Sequence, residues 1–304
     1  MTLTDRIVAS AYMVGWAIVR HVPEKAAAVV FRAIADVMWR RRGKSVRRLE
    51  SNLARVTGGD EASLRALSKQ GLRSYMRYWM EVFRLPSMDP QQIHARTHSH
   101  GENLIFDTVA SGRGVVIALP HMGNWDAAGI WLVQSGHPFT TVMERLKPEI
   151  LFERFVAFRT AIGMEVLPLT AKGGGTAHAF GTLAQRTRAG GVVCLPADRD
   201  LTESGVEVDF FGARTRMAAG PALLALQTGA ALLPVIVYFD GADWGLDVHP
   251  EVPVPDEGTR QEKAAALTQG MAAAFEKGIA EHPDDWHMLQ RLWLDDLEPR
   301  EPRP

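Results

Sequence analysis

The stretch VVIALPHMGNWDAAGIWLVQ, Val115 to Gln134, decides the fold class. Its first five residues form a continuous apolar, β-branched run that fits a strand buried on both faces. Pro120 stops that run, and a loop His121-Met122-Gly123-Asn124 leads into a helix whose first turn carries Asp126. Asn124 is suited to cap this helix, because its side-chain oxygen can accept a first-turn N–H. The unit is strand, loop, helix, with an imidazole at the strand's end.

The pattern repeats outward. Further strands are predicted at Thr140 to Met143, Glu165 to Leu169, Gly191 to Ala197 and Leu232 to Tyr238. Helices fit between them at Ala127 to Gln134, Glu149 to Ile162, Thr176 to Arg188 and Pro221 to Thr228. This alternation predicts an α/β fold with a central, mostly buried sheet flanked by helices. In such sheets functional residues gather where strands end and loops begin.

Composition limits the function classes. Of 304 residues, 46% are hydrophobic and 23% charged, with a net charge of −1, which is globular and argues against a general nucleic-acid binder. The balance conceals an asymmetry. Residues 1–84 carry 16 Lys and Arg against 7 Asp and Glu, a surplus of nine, and the rest carry 18 against 28, a deficit of ten. The basic segment reads as helical, with Ala27 to Arg40 and Leu64 to Arg84 apolar at three- and four-residue spacing and a break at Gly58-Gly59. Two readings of Arg40-Arg41-Arg42-Gly43-Lys44 stand side by side: a solvated helix end, or a face for an anionic membrane. The run Ile7 to Val19 is too short for a span of roughly 20 residues. Pro221 to Phe239 reads as a helix stopped at Gly229 followed by a buried strand, so no transmembrane helix is expected. One domain, residues 1–304, is expected. Within it, residues 1–84 form a basic, helical, membrane-docking segment, residues 85–297 an α/β core and residues 298–304 a loose tail.

The chemistry centres on His121. Imidazole has a pKa suited to a general base, and a carboxylate can hold its tautomer and stabilise the imidazolium. Asp126 follows His121 with four residues between them, and Asp198 closes the strand Val192 to Ala197 at the same kind of strand edge. The bland reading leaves His121 an ordinary loop residue and Asp126 a complement to the helix dipole. Backbone N–H groups near Gly123, Asn124 and Trp125 could face a developing oxyanion. Arg214 and Arg216, ahead of the helix that begins near Pro221, read either as an anion site or as solubilising charge. Cys194, the one cysteine, reads as an inert thiol inside a strand. His94, His98 and His100 read as strand and loop residues before they read as metal ligands, and no metal is expected in the site. The glycines of Lys172 to Thr176 lack nucleotide-loop spacing and read as a connection, and Trp286-His287 reads first as core packing.

Taken in order, these segments resemble the bacterial lysophospholipid acyltransferase superfamily, in the branch of the lipid A acyltransferases. Within that branch they resemble the phosphatidylinositol mannoside acyltransferases of actinobacteria. The resemblance rests on Asn52 to Val56, Tyr78-Trp79 with Phe83 to Pro86, His121 with Asp126, and Glu144 to Glu149. It continues through Ala197 to Thr202, Asp209 to Gly212 and Asp285 to Gln290. It implies acyl transfer from a long-chain acyl-CoA such as palmitoyl-CoA, a co-substrate with no permanent cofactor, to a sugar hydroxyl of phosphatidylinositol mannoside. His121 then matches the essential histidine, and Asp126 completes its motif. The family places a Glu before Arg-Asp where this chain has Asp198-Arg199-Asp200, one methylene shorter, so the partnership is chemically possible and its geometry is the point to check. Glu144 and Arg159 fall on acceptor-side positions, and Arg199 joins them as a binding candidate. The expectation is a peripheral, monomeric enzyme on the cytoplasmic face of the plasma membrane, with an apolar groove for the acyl chain and no nucleic-acid partner. A lipid A-type enzyme fed by acyl carrier protein, or a non-enzymatic lipid-binding adaptor, are the alternatives.

Overall fold

The structure is a computed structural model, and it describes residues 15, 16, 18–145, 149–169, 175–200 and 205–297. Most of the run Ile7 to Val19, Lys147-Pro148, Lys172 to Gly174, Leu201-Thr202 and the tail 298–304 lie outside the described residues.

After Pro23 come three helices, α1 (Glu24–Arg41), α2 (Lys44–Thr57) and α3 (Glu61–Arg84). The Gly58 break works as a left-handed cap of α2 at φ 61°, and Asp60 caps α3 by accepting the Ser63 N–H at 2.7 Å. Helix α4 (Pro90–Ala95), strand β1 (Thr97–His100) and helix α5 (Asn103–Ala110) lead into the core. There β2 (Val115–Leu119), α6 (Trp125–Gln134), β3 (Phe139–Glu144), α7 (Glu149–Ala161), β4 (Glu165–Leu169), α8 (Gly175–Arg188) and β5 (Val192–Pro196) alternate. A hairpin of β6 (Val206–Phe210) and β7 (Ala213–Met217) interrupts the alternation before α9 (Gly220–Thr228) and β8 (Ala231–Asp240). Strand β9 (Asp243–Val248) and the long helix α10 (Arg260–Glu281) follow.

The seven-stranded sheet has the order β1-β9-β8-β2-β5-β3-β4. From β8 to β4 every neighbour is parallel, and β9 runs antiparallel to β8 with β1 parallel to it at the edge. Both faces are covered. Val115, Ile117 and Leu119 point to the face packed by α4, α5, α6 and α7. Val116 and Ala118 point to the face packed by α8, α9 and α10. That two-sided burial explains the unbroken apolar run of β2. No helix among the described residues is long and apolar enough to cross a membrane; Gly229 stops α9 in a left-handed turn, as expected.

Helix α3 joins the basic helical segment to the core. Its Ser74, Tyr78 and Glu81 are buried, and all three bond to residues around the β2–α6 loop. The β6–β7 hairpin is not legible in the sequence, because a strand reading Ala-Arg-Thr-Arg-Met has too few apolar residues to announce itself.

Candidate active site

Strands β2 and β5 are parallel neighbours whose ends lie side by side, with the Ala197 N–H bonded to the Leu119 carbonyl at 2.9 Å. Just beyond those ends stand Asp198, after Ala197, and His121, after Pro120. The shorter carboxylate reaches. His121 Nδ1 lies 2.5 Å from Asp198 Oδ1, and the His121 backbone N–H donates to Asp198 Oδ2 at 3.0 Å. Trp286 completes the cradle, its indole N–H donating to Oδ2 at 3.0 Å. Asp198 is wholly buried while the His121 side chain keeps 26% of its surface exposed. Burial alone would raise the Asp198 pKa, but the neighbouring His121 and the hydrogen bonds from His121 and Trp286 outweigh it and hold the carboxyl below its ordinary range. Nδ1 is therefore committed to the carboxylate, and Nε2 is the nitrogen left to meet a substrate.

The second carboxylate serves a different partner. Asp126 is 2% exposed and turns from His121 to Arg159, which grips it through Nε at 2.7 Å and Nη2 at 3.0 Å. The Tyr78 hydroxyl donates to the same carboxylate at 3.2 Å. Burial opposes the Arg159 charge, but Asp126 overcomes this and raises the guanidinium's pKa. Asp126 and Arg159, with Trp125, line the polar side of an apolar cavity under α6 that Ile117, Trp131, Phe139, Met164, Cys194 and Val235 also line. Burial pushes the Cys194 thiol well up, leaving it unreactive.

The loop between them is tightly held. Asn124 caps α6, its Oδ1 accepting the Ala127 N–H at 3.0 Å, while its Nδ2 donates to the buried Glu81 at 2.7 Å. Trp244 donates to the same Glu81 at 2.8 Å. Asn124 is thus a buried scaffold residue and not a free contact for substrate. Gly123 sits at φ 56°, and a Cβ there would lie 2.4 Å from the Val237 carbonyl oxygen, so only glycine fits. Its N–H donates to the Asp285 carbonyl at 2.9 Å. That amide is committed elsewhere, which removes Gly123 from the oxyanion candidates and leaves the amides at the start of α6. Trp125 lies edge-on to the His121 ring at 5.7 Å and packs against Tyr78 at 4.2 Å.

Of the remaining candidates, Glu144 is exposed at the end of β3, on the same sheet edge as His121, and Arg199 is half-buried beside Asp198. The anion-site reading of Arg214 and Arg216 does not hold. Both lie within β7, off the start of α9, and pair with Glu207 at 2.7 and 3.0 Å across the hairpin. The histidine cluster separates as well. His94 meets Ser135, His98 meets Asp240 and His100 meets Asp247.

The C-terminal segment, where the sequence suggests core packing, forms the back of the site. Trp286 is fully buried and its backbone bridges to Met122, while the His287 N–H donates to the His121 carbonyl at 2.8 Å. The Asp285 carboxylate accepts from Ser74 at 2.6 Å and from the Phe239 N–H at 2.7 Å. Ser74 Oγ also lies 3.0 Å from His287 Nε2. Burial raises the Asp285 pKa to about 6 against those hydrogen bonds. Burial, reinforced by the nearby His121, lowers that of His287 to about 3. A run of polar residues flanking a Trp near the chain's end is the one available signal, and nothing local to it indicates which carboxylate the indole would hold.

Comparisons with known proteins agree in direction. The family profile described as "Bacterial lipid A biosynthesis acyltransferase" matches residues 1–295. A phosphatidylinositol mannoside acyltransferase of Mycolicibacterium smegmatis is 47% identical over 304 residues, covering 98% of this chain and 97% of the relative. Two proteins of the same name from Mycobacterium tuberculosis, strains CDC 1551 and H37Rv, are 48% and 47% identical over 290 residues, covering 94% of this chain and 89% of each relative.

Proposed function

The chain belongs to the bacterial lipid A biosynthesis acyltransferase family and is an acyltransferase, and from that premise we propose that it moves a long-chain acyl group from acyl-CoA to a mannose hydroxyl of phosphatidylinositol mannoside. The acceptor follows the name carried by relatives of near-half identity. The observation that carries the chemistry is the His121–Asp198 contact, with Nδ1 engaged at 2.5 Å on a side chain that stays 26% exposed.

In this reading Nε2 takes the proton of the mannose hydroxyl as its oxygen attacks the thioester carbonyl. Asp198 stabilises the imidazolium so formed, and Trp286 fixes the carboxylate's second oxygen. The tetrahedral intermediate collapses by breaking the carbon–sulfur bond, and the imidazolium returns its proton to the departing CoA thiolate. The backbone N–H of Trp125, at the start of α6, is the remaining candidate to receive the oxyanion, where the helix dipole favours negative charge. No acyl-enzyme is required. The acyl chain enters the apolar cavity under α6, while Glu144, Arg159 and Arg199 face the acceptor; beyond its two bonds to Asp126, Arg159 Nη1 meets the Met143 sulfur at 3.3 Å.

The enzyme works at the cytoplasmic face of the membrane, docked through its basic helices. The support is on α1, where Val29, Val30, Ile34 and Val37 are 41–66% exposed in one stripe followed by Arg40 and Arg41. An apolar stripe ending in cations is the pattern of an interfacial helix.

The test incubates purified protein with palmitoyl-CoA and a panel of glycolipid acceptors, read by mass spectrometry. Transfer to mannosylated phosphatidylinositol that is lost in His121→Ala supports the proposal. Full activity in His121→Ala rejects the base, and transfer only from acyl carrier protein rejects the donor. Flotation with liposomes tests the docking face: recovery indifferent to anionic lipid and to salt counts against it.

A further inference from the structure

On the far side of the sheet edge, a groove runs between β9 and the C-terminal end of α10, away from the acyl cavity. Two of the chain's ten histidines line it, and a third, His282, stacks on Tyr238 at its wall. His100 comes from β1, His249 follows β9, and His282 caps α10. Two carboxylates share the groove, Asp247 of β9 and Glu281 at the end of α10. We propose that Asp247, Glu281 and His282, joined by His100, form a binding site for one divalent transition-metal ion of the Zn²⁺ type.

Donor atoms of Asp247, Glu281 and His282 all lie within 4.8 Å of one another. Around tetrahedral zinc, with bonds of about 2.0–2.1 Å, donors sit roughly 3.4 Å apart. Side-chain movements of about an ångström would close the set, and Glu281, which is exposed, can make them toward the half-buried Asp247 and His282. His100 Nδ1 already lies 3.0 Å from Asp247 Oδ1, which brings a fourth donor to the same carboxylate. The His282 ring is held in place by stacking on Tyr238 at 3.9 Å and 5°. It also sits at a helix C-terminus, where the backbone dipole favours a cation. Lys277 is the cation lining the same groove, and it is the charge with which the metal must compete.

Mixed imidazole and carboxylate ligands select zinc and its neighbours over magnesium, which prefers oxygen alone. The metal would act as a clip and not as a reagent. His282 stands three residues before Asp285, where the chain crosses to bond Gly123, Phe239 and Ser74. An ion there ties β9 to the segment that carries Trp286 behind His121.

Isothermal titration of the chelator-treated protein with Zn²⁺ alone tests this. One ion per chain is expected, with a higher melting midpoint at saturation. Binding should weaken at least about tenfold, 1.4 kcal/mol, in both Glu281→Gln and His282→Gln. His98→Gln, on the same strand as His100 but outside the groove, should bind as the parent does. Glu281→Gln is the fold-safe variant, since its side chain is exposed, and circular dichroism checks His282→Gln. Co²⁺ should give visible absorption of a tetrahedral site that both variants lose. No saturable binding, binding in the two variants equal to the parent's, or a preference for Mg²⁺ would each overturn the proposal.

Discussion

Two carboxylates flank the β2–α6 loop, and they belong to two different environments. Asp198 stands at the strand side, fully buried, with three donors from His121 and Trp286 holding a charge that faces a half-open imidazole. Asp126 stands at the helix side, equally buried, but its charge is neutralised by a two-pronged arginine and a tyrosine hydroxyl. Asp126 is near His121 in sequence, and Asp198 is 77 residues away, yet the distant one is the partner. Nearness along the chain puts two side chains on one loop; it does not make them face each other. In the proposed mechanism acid–base support therefore falls to Asp198, and positioning of the α6 rim to Asp126.

The largest effect that could break this division is on rate. His121→Ala and Asp198→Asn should each lower kcat by about 10²–10⁴-fold, measured by acyl transfer, with the melting midpoint changed far less than activity. If Asp198→Asn kept full activity, Asp126 would have to be reconsidered as the partner. Asp126→Asn should instead be read first in stability, losing about 3–5 kcal/mol in denaturant unfolding because the Arg159 charge is left buried without its counterion. A loss of activity with no loss of stability would contradict that placement.

A third buried group behind the same loop can be followed through pH. His287 titrates at about 3 in the fold and near its ordinary value of 6.5 when unfolded, so the unfolded chain binds the extra proton between these limits. Its contribution is complete above pH 6.5 and is lost as pH falls toward 3. Asp285, raised from 3.8 to about 6, acts in the opposite direction, being protonated more readily in the fold, but over a narrower window. The two slopes cancel between about pH 6 and 3.8, so stability from these groups falls between pH 6.5 and 6 and again below 3.8. His287→Gln leaves Asp285 acting alone, and its unfolding curves should show stability rising as pH falls from about 6 to 3.8.

Smaller still, Trp286→Phe removes one hydrogen bond to a charged acceptor, worth about 1.5–3 kcal/mol. It should slow transfer and shift the acid limb of the pH–rate profile, while a purely structural role would leave that limb in place. Arg214→Ala, on the hairpin, should change stability by no more than about 0.5 kcal/mol and leave transfer unaltered, since its partner Glu207 is a surface group that Arg216 also engages.

Much of this molecule is legible in its sequence for identifiable reasons. Strands β2 and β4 fall where the apolar runs predict them, and Gly229 ends α9 as its conformational freedom suggests. Asn124 caps α6 because capping is a local bond. The hairpin looks instead like the approach to a helix, since Arg214 and Arg216 give a strand whose apolar pattern is weak. Gly123 looks like an oxyanion amide because nothing near it in the sequence shows that Asp285 arrives to occupy it.

The sequence by itself determined the α/β alternation and the placing of an imidazole at a strand's end, because hydrophobic periodicity, capping and chain breaks act over a few neighbouring residues. It also held both candidate carboxylates. Which one holds His121 was decided only by the tertiary structure. The parallel pairing of β2 with β5 brings Asp198 level with the loop, and Arg159 from α7 takes Asp126 out of reach. The indole of Trp286, arriving from the far end of the chain, donates to the buried carboxylate beside His121. Hydrogen bonds and desolvation depend on distances in space, and those are fixed by packing between segments that the sequence keeps apart.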